Sequence, residues 1–465
     1  MTSLYIMKKN LLFLLIILCA CGRHSPSSLE KISSLSGSQD PPQFGIPFSH
    51  VPDTRDVILY QVNIRAFSPQ GNFRGVDNRL DSIKALGVNV VYLMPTYPVG
   101  ILKAKNSTYC IKDYYGVNQE FGNLNDLRAL VEDAHKRNLA VMLDWVANHT
   151  SWDNDWIRNK DWYEQDSAGN IIFPPEGWED VAQLNFNNTA MRLAMIRAMK
   201  YWVLAANIDG YRCDFVDGPP VDFWKQAIDT LRQIKNHHLL LLAEGQRGAN
   251  YDAGFDYNFG FKFYDKLKKI YSGRLSVKAI DSLNTLDYKS AKPGQMMVRY
   301  LTNHDVNSSD GTPVDLFGGQ KGSMAAFVVA AYMKSIPMIY SGQEVAIPYR
   351  IVFPFTKNKI NWSLNPAVTR EYKRVLAFRN NSPAVRRGDL SSYSTNDICA
   401  FTKKLDQEEV WVISNLRNKT IQYTVPVNLR NTSWHQVFNE HPYAVKSGIM
   451  MEPCSYLVLK RKIGK

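Results

Sequence analysis

The chain has 465 residues, of which 45% are hydrophobic and 21% are charged. This is the composition of a globular protein that is large enough for more than one domain, and it excludes a fibrous or disordered chain. The formal net charge of +12 comes from basic residues that are scattered along the sequence, with one dense block in the terminal KRKIGK. Scattered charge argues against a nucleic-acid partner and is compatible with an anionic membrane surface.

The first 20 residues have the pattern of a signal peptide. Lys8 and Lys9 precede an apolar run from Leu11 to Leu18, which is too short to span a bilayer comfortably. The stretch LCAC is similar to a bacterial lipobox, and this resemblance implies that Cys21 is the lipidated first residue of the mature protein. We therefore expect a protein of the bacterial cell envelope, anchored to a membrane through this lipid. A soluble secreted protein and an uncleaved anchor are the alternatives.

The next segments predict a tether followed by a barrel. Residues 21–50 are rich in serine and lack hydrophobic periodicity, as is typical of a flexible tether. In residues 51–149 and 191–380, short apolar runs alternate with amphipathic segments, which predicts an α/β fold, a (β/α)8 TIM barrel whose parallel strands are buried on both faces. The predicted strands are VILYQVN, VNVVYLMP, LAVMLDWVAN, IDGYRCD, LLLLAEG, YDAGFDYNF (the weakest candidate), VRYLTNHD and IPMIYSG.

Two segments interrupt or follow this alternation. Residues 150–190 are polar, aromatic and aperiodic, which predicts an inserted subdomain over the barrel mouth. Residues 381–465 consist of short alternating runs separated by turn residues, which predicts a C-terminal antiparallel β domain of the sandwich type. Cys399 and Cys454 in that domain are either a disulfide pair or ordinary buried thiols.

Polar side chains follow four of the predicted strands. Because active sites of TIM barrels lie at the carboxyl ends of the strands, these side chains should converge in one pocket. Taken singly, each could instead be a helix cap or a turn former. They are Asp144, Asn148 and His149 after the third strand, Arg212 and Asp214 in the fourth, Glu244 after the fifth, and Asn303, His304 and Asp305 after the seventh.

Two of these carboxyl groups lie in opposite environments. Residues two apart in a strand share a face, so Arg212 should hold Asp214 ionised. Glu244 follows four leucines and an alanine, and burial should keep its proton on. Two carboxyl groups in opposed environments can divide the work of a nucleophile and an acid between them. A structural Arg–Asp pair is the alternative.

The motifs around these residues resemble a known family. DWVANH, GYRCDFVD, LLAEGQ and YLTNHD resemble, in this order, the four signature regions of the α-amylase family of glycoside hydrolases. The resemblance extends over residues 55–390 and implies Asp214 as the nucleophile, Glu244 as the general acid/base and Asp305 as the stabiliser of the transition state. It also implies a set of residues that line the subsite for the first sugar, namely Tyr109, Asp144, His149, Arg212 and His304.

The sequence departs from the family pattern at two places. A Lys-His pair that often follows the nucleophile is replaced by Asp217 and Gly218, and an acidic PDL motif is replaced by AQLN at 182–185. Asn148 falls on a calcium-ligand position of the family. It is therefore either part of a structural Ca²⁺ site or an amide that braces a loop, and the chemistry itself should need no cofactor.

The resemblance implies a retaining glycoside hydrolase that acts on α-1,4-linked glucans such as starch, maltodextrins and maltooligosaccharides. The first alternative is an α-glucosidase or transglycosylase of the same family, and the second is a glycan-binding accessory protein without catalysis. Trp411 and Trp434 of the C-terminal domain either bind starch or belong to the core. The sequence does not indicate the oligomeric state.

Overall fold

The computed structural model describes residues 40–464, and a closed barrel of eight parallel strands lies at its centre. The predicted signal peptide and Cys21 lie outside the described residues. The order of the strands around the barrel is β1, β10, β9, β8, β7, β6, β3 and β2. These strands are β1 Leu59–Val62, β2 Val90–Leu93, β3 Ala140–Val146, β6 Gly210–Asp214, β7 Leu240–Ala243, β8 Tyr257–Phe259, β9 Met296–Tyr300 and β10 Ile336–Tyr340.

Helices connect these strands and cover the barrel. Most are amphipathic or fully buried segments with polar residues at their first turns. Their bounds are Ile64–Phe67, Phe73–Asp77, Leu80–Ala85, Leu124–Lys136, Thr189–Ala206, Val221–Arg232, Ala249–Ala253, Phe261–Tyr271, Ala279–Asp287, His304–Ser309, Pro313–Leu316, Gly319–Tyr332, Pro366–Asn381 and Pro383–Arg387.

Local sequence explains where these elements begin and end. Asn123 and Asp126 form a capping box at the start of the helix Leu124–Lys136, which satisfies backbone donors that would otherwise lack partners. The helix Thr189–Ala206 ends at Asn207, which adopts φ +57°, a conformation that asparagine tolerates better than most residues. The barrel prediction is confirmed, and six of its eight predicted strands contain the whole of an observed barrel strand of four or more residues, while VRYLTNHD contains the last three residues of β9.

The predicted sixth strand is shorter than expected. Only Tyr257–Phe259 of YDAGFDYNF is extended, because the helix Ala249–Ala253 occupies its first residues. Gly254, with φ +106°, ends that helix. A left-handed glycine is a common helix terminator, so the strand begins only after it.

The segment from 41 to 50, predicted as part of the tether, contacts the barrel instead. The backbone N–H of Phe44 donates to the carbonyl oxygen of Leu204 at 2.8 Å, and the Phe48 ring stacks on His135 with centroids 4.4 Å apart. Two apolar rings close to the start of the barrel give this segment surface to bury. The tether prediction is therefore wrong for these residues.

The inserted segment between β3 and β6 carries a small two-stranded sheet. Its strands are β4 His149–Ser151 and β5 Val181–Gln183, paired antiparallel with His149 opposite Gln183. Two 3-10 turns, Asp155–Arg158 and Lys160–Trp162, lie between them. The pairing returns the chain to the barrel mouth and positions His149 there.

The C-terminal residues form two antiparallel sheets. The larger has the order β11, β12, β13, β18, β15 and β16, and the smaller pairs β14 with β17. Their bounds are β11 Asp389–Ser392, β12 Ile398–Leu405, β13 Glu408–Asn415, β14 Ile421–Thr424, β15 Thr432–Gln436, β16 Pro442–Val445, β17 Gly448–Met451 and β18 Tyr456–Lys462.

The structure shows the role of two tryptophans and the state of two cysteines in this domain, for which the sequence left alternatives open. Trp411 and Trp434 are both buried there, with ring centroids 5.6 Å apart, so they are core residues and not a sugar-binding surface. Cys399 and Cys454 are buried free thiols, as are Cys110 and Cys213.

The other face of the larger sheet packs on the barrel. Phe401 and Val412 belong to the main core, and Ser414 donates to the carbonyl oxygen of Ala325 in the helix Gly319–Tyr332 at 2.9 Å. The chain from Pro41 onward is accordingly one compact unit, and the domain boundaries inferred from the sequence stay predictions. Within residues 40–464, no helix is long and apolar enough to cross a membrane.

Candidate active site

A cleft of about 530 Å³ opens at the carboxyl ends of the barrel strands. The chain brings six of the eight predicted catalytic and sugar-binding residues to its walls, which are Tyr109, His149, Asp214, Glu244, His304 and Asp305. The remaining two, Asp144 and Arg212, lie directly beneath these walls and are fully buried. Residues that are up to 196 positions apart in sequence therefore meet at one end of the barrel.

Arg212 is the centre of the site and contacts three carboxylates. Its Nη1 lies 2.7 Å from Asp144 Oδ1 and 2.8 Å from Asp214 Oδ1, and its Nη2 contacts Glu244 Oε1. The register explains this arrangement, because Asp144 on β3 lies opposite Arg212 on β6 and Asp214 follows two residues later on the same face. The single guanidinium of Arg212 thus contacts three acidic side chains.

Because Asp214 and Glu244 share Arg212, their ionisation differs from that expected for a single ion pair. Burial raises the pKa of Glu244 well above its ordinary value, against the opposing charge of Arg212, and the nearby charges of Asp214 and Asp305 add to the rise. Burial also raises the pKa of Asp214, to about 7, although Arg212 opposes that rise too. Arg212 therefore keeps Asp214 less firmly ionised than a two-residue ion pair would, and the cluster retains a proton at neutral pH.

The backbone after β6 is strained and aims a donor at Glu244. Phe215 adopts φ +43°, a left-handed conformation that costs a bulky residue about 1–2 kcal/mol. In this conformation its N–H donates to Glu244 Oε2 at 2.9 Å, and the next N–H, that of Val216, donates to the Glu244 carbonyl oxygen at 3.0 Å. The strain thus holds both ends of the glutamate in one orientation.

Asp144 is held from two sides by tyrosines. The hydroxyls of Tyr92 and Tyr109 donate to its Oδ2 at 2.5 and 2.9 Å, while Arg212 binds its Oδ1. Because both oxygens are occupied, Asp144 fixes the tilt of the Tyr109 ring, which faces the cleft. Asp144 is therefore a positioning residue in this geometry.

His304 and Asp305 begin the helix that follows β9. Asn303 caps this helix by accepting from the backbone N–H of Asp305 at 3.0 Å. The His304 ring stacks on Tyr109 with centroids 5.1 Å apart, and its Nδ1 lies 2.9 Å from Gln61 Nε2. His304 Nε2 lies 3.2 Å from the Asp305 carboxylate. That carboxylate is 59% exposed, in contrast to those of Asp214 and Glu244, and so it is free to meet a ligand.

His149 lies on the opposite wall. Burial lowers its pKa to about 4, so the imidazole is neutral at physiological pH. The Trp178 ring meets it edge to face at 5.6 Å and also packs against Phe215 at 4.9 Å. The aromatic residues brace the imidazole from the side of the inserted segment.

Sequence reasoning missed several aromatic residues that line the cleft. Their common feature is a ring that faces the open space beside the carboxylates, which suits stacking on the apolar faces of a sugar. They are Trp178, Phe215, Phe261, Phe353 and Phe355. Phe215 could have been found from its place beside Asp214, and Phe261 from its place two residues after β8, whereas Trp178, Phe353 and Phe355 lie in irregular segments.

Arg65 ties together three segments around the cleft mouth. It is 3% exposed, and its guanidinium donates to the carbonyl oxygens of Asn106 at 2.7 Å and Pro354 at 3.1 Å and to the Glu120 carboxylate at 2.7 Å. Ser107 and Phe355, which adjoin two of these contacts, are walls of the cleft.

The surroundings of Asn148 do not fit a calcium ion. Its amide Nδ2 donates to Gln183 Oε1 at 3.1 Å, and Gln183 Nε2 lies 3.3 Å from its Oδ1 in return. A Cβ atom at Gly218 would stand 2.7 Å from that oxygen, so the histidine typical of the family has no room here. In the part of the chain that is described, no group of three or more His, Cys, Asp or Glu side chains could hold a metal. Of the two interpretations, the geometry favours an amide that braces the loop.

Comparisons with known proteins agree with this fold. A family profile described as "Alpha amylase, catalytic domain" matches residues 48–173. The chain is 24% identical to Alpha-amylase 3 of Dictyoglomus thermophilum over 87% of this chain and 93% of that protein. It is 24% identical to an α-1,4-glucan:maltose-1-phosphate maltosyltransferase of Picrophilus torridus over 80% of this chain and 63% of that protein. The structure of a maltogenic α-amylase of Thermotoga neapolitana superposes with a TM-score of 0.79, at 22% identity, over 89% of this chain and all of that one.

The barrel, its C-terminal sheets and these similarities define the chain as a glycosidase. Residues 48–173, which match the α-amylase catalytic-domain profile, include the first signature motif, DWVANH, and over most of its length the chain is similar to proteins named α-amylases.

Proposed function

We propose that this enzyme hydrolyses α-1,4-linked glucans such as starch, maltodextrins and maltooligosaccharides, with retention of anomeric configuration. The observation that carries the proposal is the contact of Asp214 and Glu244 with the same buried guanidinium, that of Arg212, at the wall of one cleft. Retaining glycosidases use two carboxyl groups about 5–5.5 Å apart, and groups bound to two nitrogens of one guanidinium are near neighbours.

In the first step, Glu244 gives its proton to the glycosidic oxygen while Asp214 attacks the anomeric carbon. The bond to the departing sugar breaks, and an ester forms between Asp214 and the remaining glycosyl group. The raised pKa of Glu244 suits it to hold that proton at neutral pH. Asp305, which faces the same cleft, adds negative charge where the sugar ring becomes positively charged.

In the second step, Glu244, now ionised, takes a proton from water, and the water oxygen attacks the anomeric carbon. The ester bond to Asp214 breaks, which restores both carboxyl groups and releases a sugar of the original configuration. Tyr109 offers a face on which the sugar ring can stack, and the neutral His149 offers a hydrogen bond to one of its hydroxyl groups. Each step uses side chains of this chain alone.

The proposal is tested by following maltoheptaose cleavage by proton NMR. Newly formed reducing ends should appear first as the α-anomer and then mutarotate, whereas β-anomer appearing first would contradict retention. Asp214→Asn and Glu244→Gln should each lower kcat by at least ~10³-fold with little change in the far-UV spectrum, since positioned acid–base and nucleophilic groups contribute this much.

Two exposed acids provide matched controls for the amide substitutions. Asp229 and Glu132 lie on helix surfaces away from the cleft, so Asp229→Asn and Glu132→Gln should keep the turnover of the wild type. Near-normal rates in Asp214→Asn or Glu244→Gln would remove the assigned roles, whatever the substrate.

A second candidate function, glycosyl transfer, is favoured by the similarity to the maltosyltransferase of Picrophilus torridus. In that case a sugar hydroxyl replaces water in the second step. Product analysis on maltoheptaose separates the two functions, because transfer yields chains longer than seven sugars and hydrolysis yields only shorter ones. A non-catalytic accessory role would require the loss of an essential acid, whereas Asp214, Glu244 and Asp305 are all present.

We also propose that the enzyme is held at the cell envelope by a lipid on Cys21. The support is the LCAC stretch after the apolar run. In a bacterial host, the wild-type chain should partition into detergent and incorporate labelled palmitate, and Cys21→Ser should do neither. A wild-type chain that stays in the aqueous phase would contradict the anchor and leave the catalytic proposal intact.

A further inference from the structure

A second large cavity lies at the opposite end of the barrel from the cleft. Its volume is about 660 Å³. It is bordered by residues that precede barrel strands, including Arg55 before β1, Gln295 before β9 and Lys334 before β10, and by β12 of the C-terminal sheet. The cavity therefore lies between the amino-terminal rim of the barrel and the larger C-terminal sheet.

The lining of this cavity is strongly basic. Six cationic side chains face it, against the single carboxylate of Asp389. They are Arg55, Lys292, Lys334, Arg386, Arg387 and Lys403.

Four of the six cations already have acidic partners. Arg55 pairs with Asp53 at 2.9 Å, and Lys292 pairs with Asp252 at 3.1 Å. Arg386 and Arg387 share the carboxylate of Asp56, which also lies at this end of the barrel. These pairs leave a positive excess that is concentrated on the two lysines.

Lys334 and Lys403 form no ion pair within residues 40–464. The Lys334 ammonium lies over the Tyr288 ring, 4.2 Å from its centroid, and the residue is exposed. Lys403 is only 1% exposed and lines the cavity. Its nearest charged neighbours include Arg379 and Lys334, which repel it, and Asp389, which attracts it.

Strand geometry explains why this lysine is inside. Cys399, Phe401 and Lys403 alternate along β12 and share one face. The first two pack into the main core against the barrel, so Lys403 points the same way and reaches the cavity. Lys404, on the other face, is exposed.

A buried cation without a partner is costly, and proteins seldom keep one unless it is paired or neutralised. Two further cationic donors beside the cavity support the same conclusion, because Arg379 Nη1 and Arg386 Nε are buried without a hydrogen-bond partner. The cavity is larger than a halide ion needs, and donors that approach from several elements suit an anion with several oxygens.

We propose that this cavity is a binding site for a phosphate group, with Lys403 as its buried ligand and Lys334 at its entrance. Phosphate offers enough acceptor oxygens to meet both lysines together with the free N–H of Arg386. The group could belong to a small phosphorylated solute or to the headgroup of a membrane lipid, and both sources present the same chemistry to the site.

The first test measures binding of sodium phosphate to the full chain in phosphate-free buffer, by calorimetry and by thermal unfolding, with sodium chloride at equal ionic strength as the reference. Phosphate should raise the Tm of the wild type. Lys403→Met should raise the Kd for phosphate by roughly tenfold or more, because a hydrogen bond to a charged group contributes about 1.5–3 kcal/mol. Lys404→Met, the adjacent exposed lysine, is the matched control and should bind as the wild type does.

A second variant keeps the proposal testable if Lys403→Met does not fold. Lys334 is exposed, so Lys334→Met should fold normally and still weaken phosphate binding. If the wild type shows no Tm rise beyond that of chloride and also does not bind lipid phosphate, or if both lysine variants bind as the wild type does, the site does not exist.

A vesicle arm distinguishes the two sources. Sedimentation with phosphatidylcholine vesicles that contain phosphatidic acid, compared with pure phosphatidylcholine, reports headgroup binding. Sedimentation that free phosphate displaces and Lys403→Met abolishes would assign the site to a lipid headgroup. Calorimetric binding without sedimentation would assign it to a soluble phosphate compound. Oligosaccharide cleavage plays no part in these measurements, so they stand apart from the catalytic proposal.

Discussion

The two ends of the barrel bury charge of opposite sign. At the carboxyl end, three carboxylates share the single guanidinium of Arg212. At the amino end, Lys403 is buried next to other cations, and the one carboxylate that lines the cavity, Asp389, is exposed. One end therefore holds an excess of acidic groups and the other an excess of basic groups, both in an environment that penalises charge.

The kind of group that is buried at each end determines which ligand that end is suited to bind. A buried excess of carboxylates stabilises positive charge, such as the charge that develops on a sugar during glycosidic cleavage. A buried excess of ammonium and guanidinium groups stabilises an anion. The same scaffold supplies both because parallel strands end in loops at one rim and begin from loops at the other, and each rim draws its side chains from different segments.

Removing Arg212 should have the largest effect on this contrast. In Arg212→Met, three buried carboxylates lose their cation, and we expect a loss of about 3–5 kcal/mol in the free energy of unfolding, as for other broken buried ion pairs. Urea unfolding at pH 7 measures it. Turnover of maltoheptaose should fall to background in the same variant.

The control for this variant is Arg137→Met, which removes an ion pair between Arg137 and the largely exposed Asp81. An exposed pair contributes little to stability, because solvent screens it. Stability of Arg212→Met should partly recover as the pH is lowered, because the carboxylates then protonate. Equal stability of the two variants at pH 7 would contradict the shared role of Arg212.

The two ends should also respond to pH with opposite signs. The folded pKa of Glu244 is raised, so the native state binds a proton that the unfolded state has lost, and this group lowers stability as the pH rises above about 4.5. Burial lowers the folded pKa of Lys403 to about 7. The unfolded state then binds the extra proton, and this group raises stability as the pH rises from about 7 to its unfolded pKa of about 10.4.

Non-titrating variants separate these slopes. In phosphate-free buffer, Glu244→Gln should gain Tm over the wild type at pH 8, and the gain should shrink towards pH 5. Lys403→Met should gain Tm at pH 6, and the gain should shrink towards pH 10. Slopes of the same sign in the two variants would contradict the comparison.

The smallest effect is expected at the loop that joins the cleft to the inserted segment. Because Asn148 is bonded to Gln183, treatment with a calcium chelator should leave the Tm unchanged, and calcium added back should not raise it. A bound ion stabilises the native state in proportion to its occupancy, so a rise in Tm with added calcium would reveal ligands that this geometry does not provide.

Sequence patterns predicted the barrel and the convergence of its polar residues for a local reason. Each strand carries its own apolar run, and parallel strands bring their ends together whatever the loops do. Asp144, Arg212 and Glu244 were predictable because they lie within or directly after such runs. The ionisation of Asp214 was less predictable, because it depends on how many carboxylates share the guanidinium of Arg212.

Other features depend on contacts that sequence does not reveal. Lys403 and Lys404 are adjacent lysines, and only the packing of β12 on the barrel determines which of the two is buried. Phe353 and Phe355 reach the cleft from an irregular segment with no periodicity. Phe44 and Phe48 resemble tether residues until the barrel surface beneath them is known.

The guanidinium of Arg65 has a consequence for the way a glucan enters. Three chain segments meet on this one buried side chain, and two of them carry walls of the cleft. The spacing between those walls is thus fixed before any sugar arrives, and an incoming chain does not have to immobilise them on binding. A substrate that fits between these walls therefore loses less conformational entropy of the protein on binding than one that would have to order them.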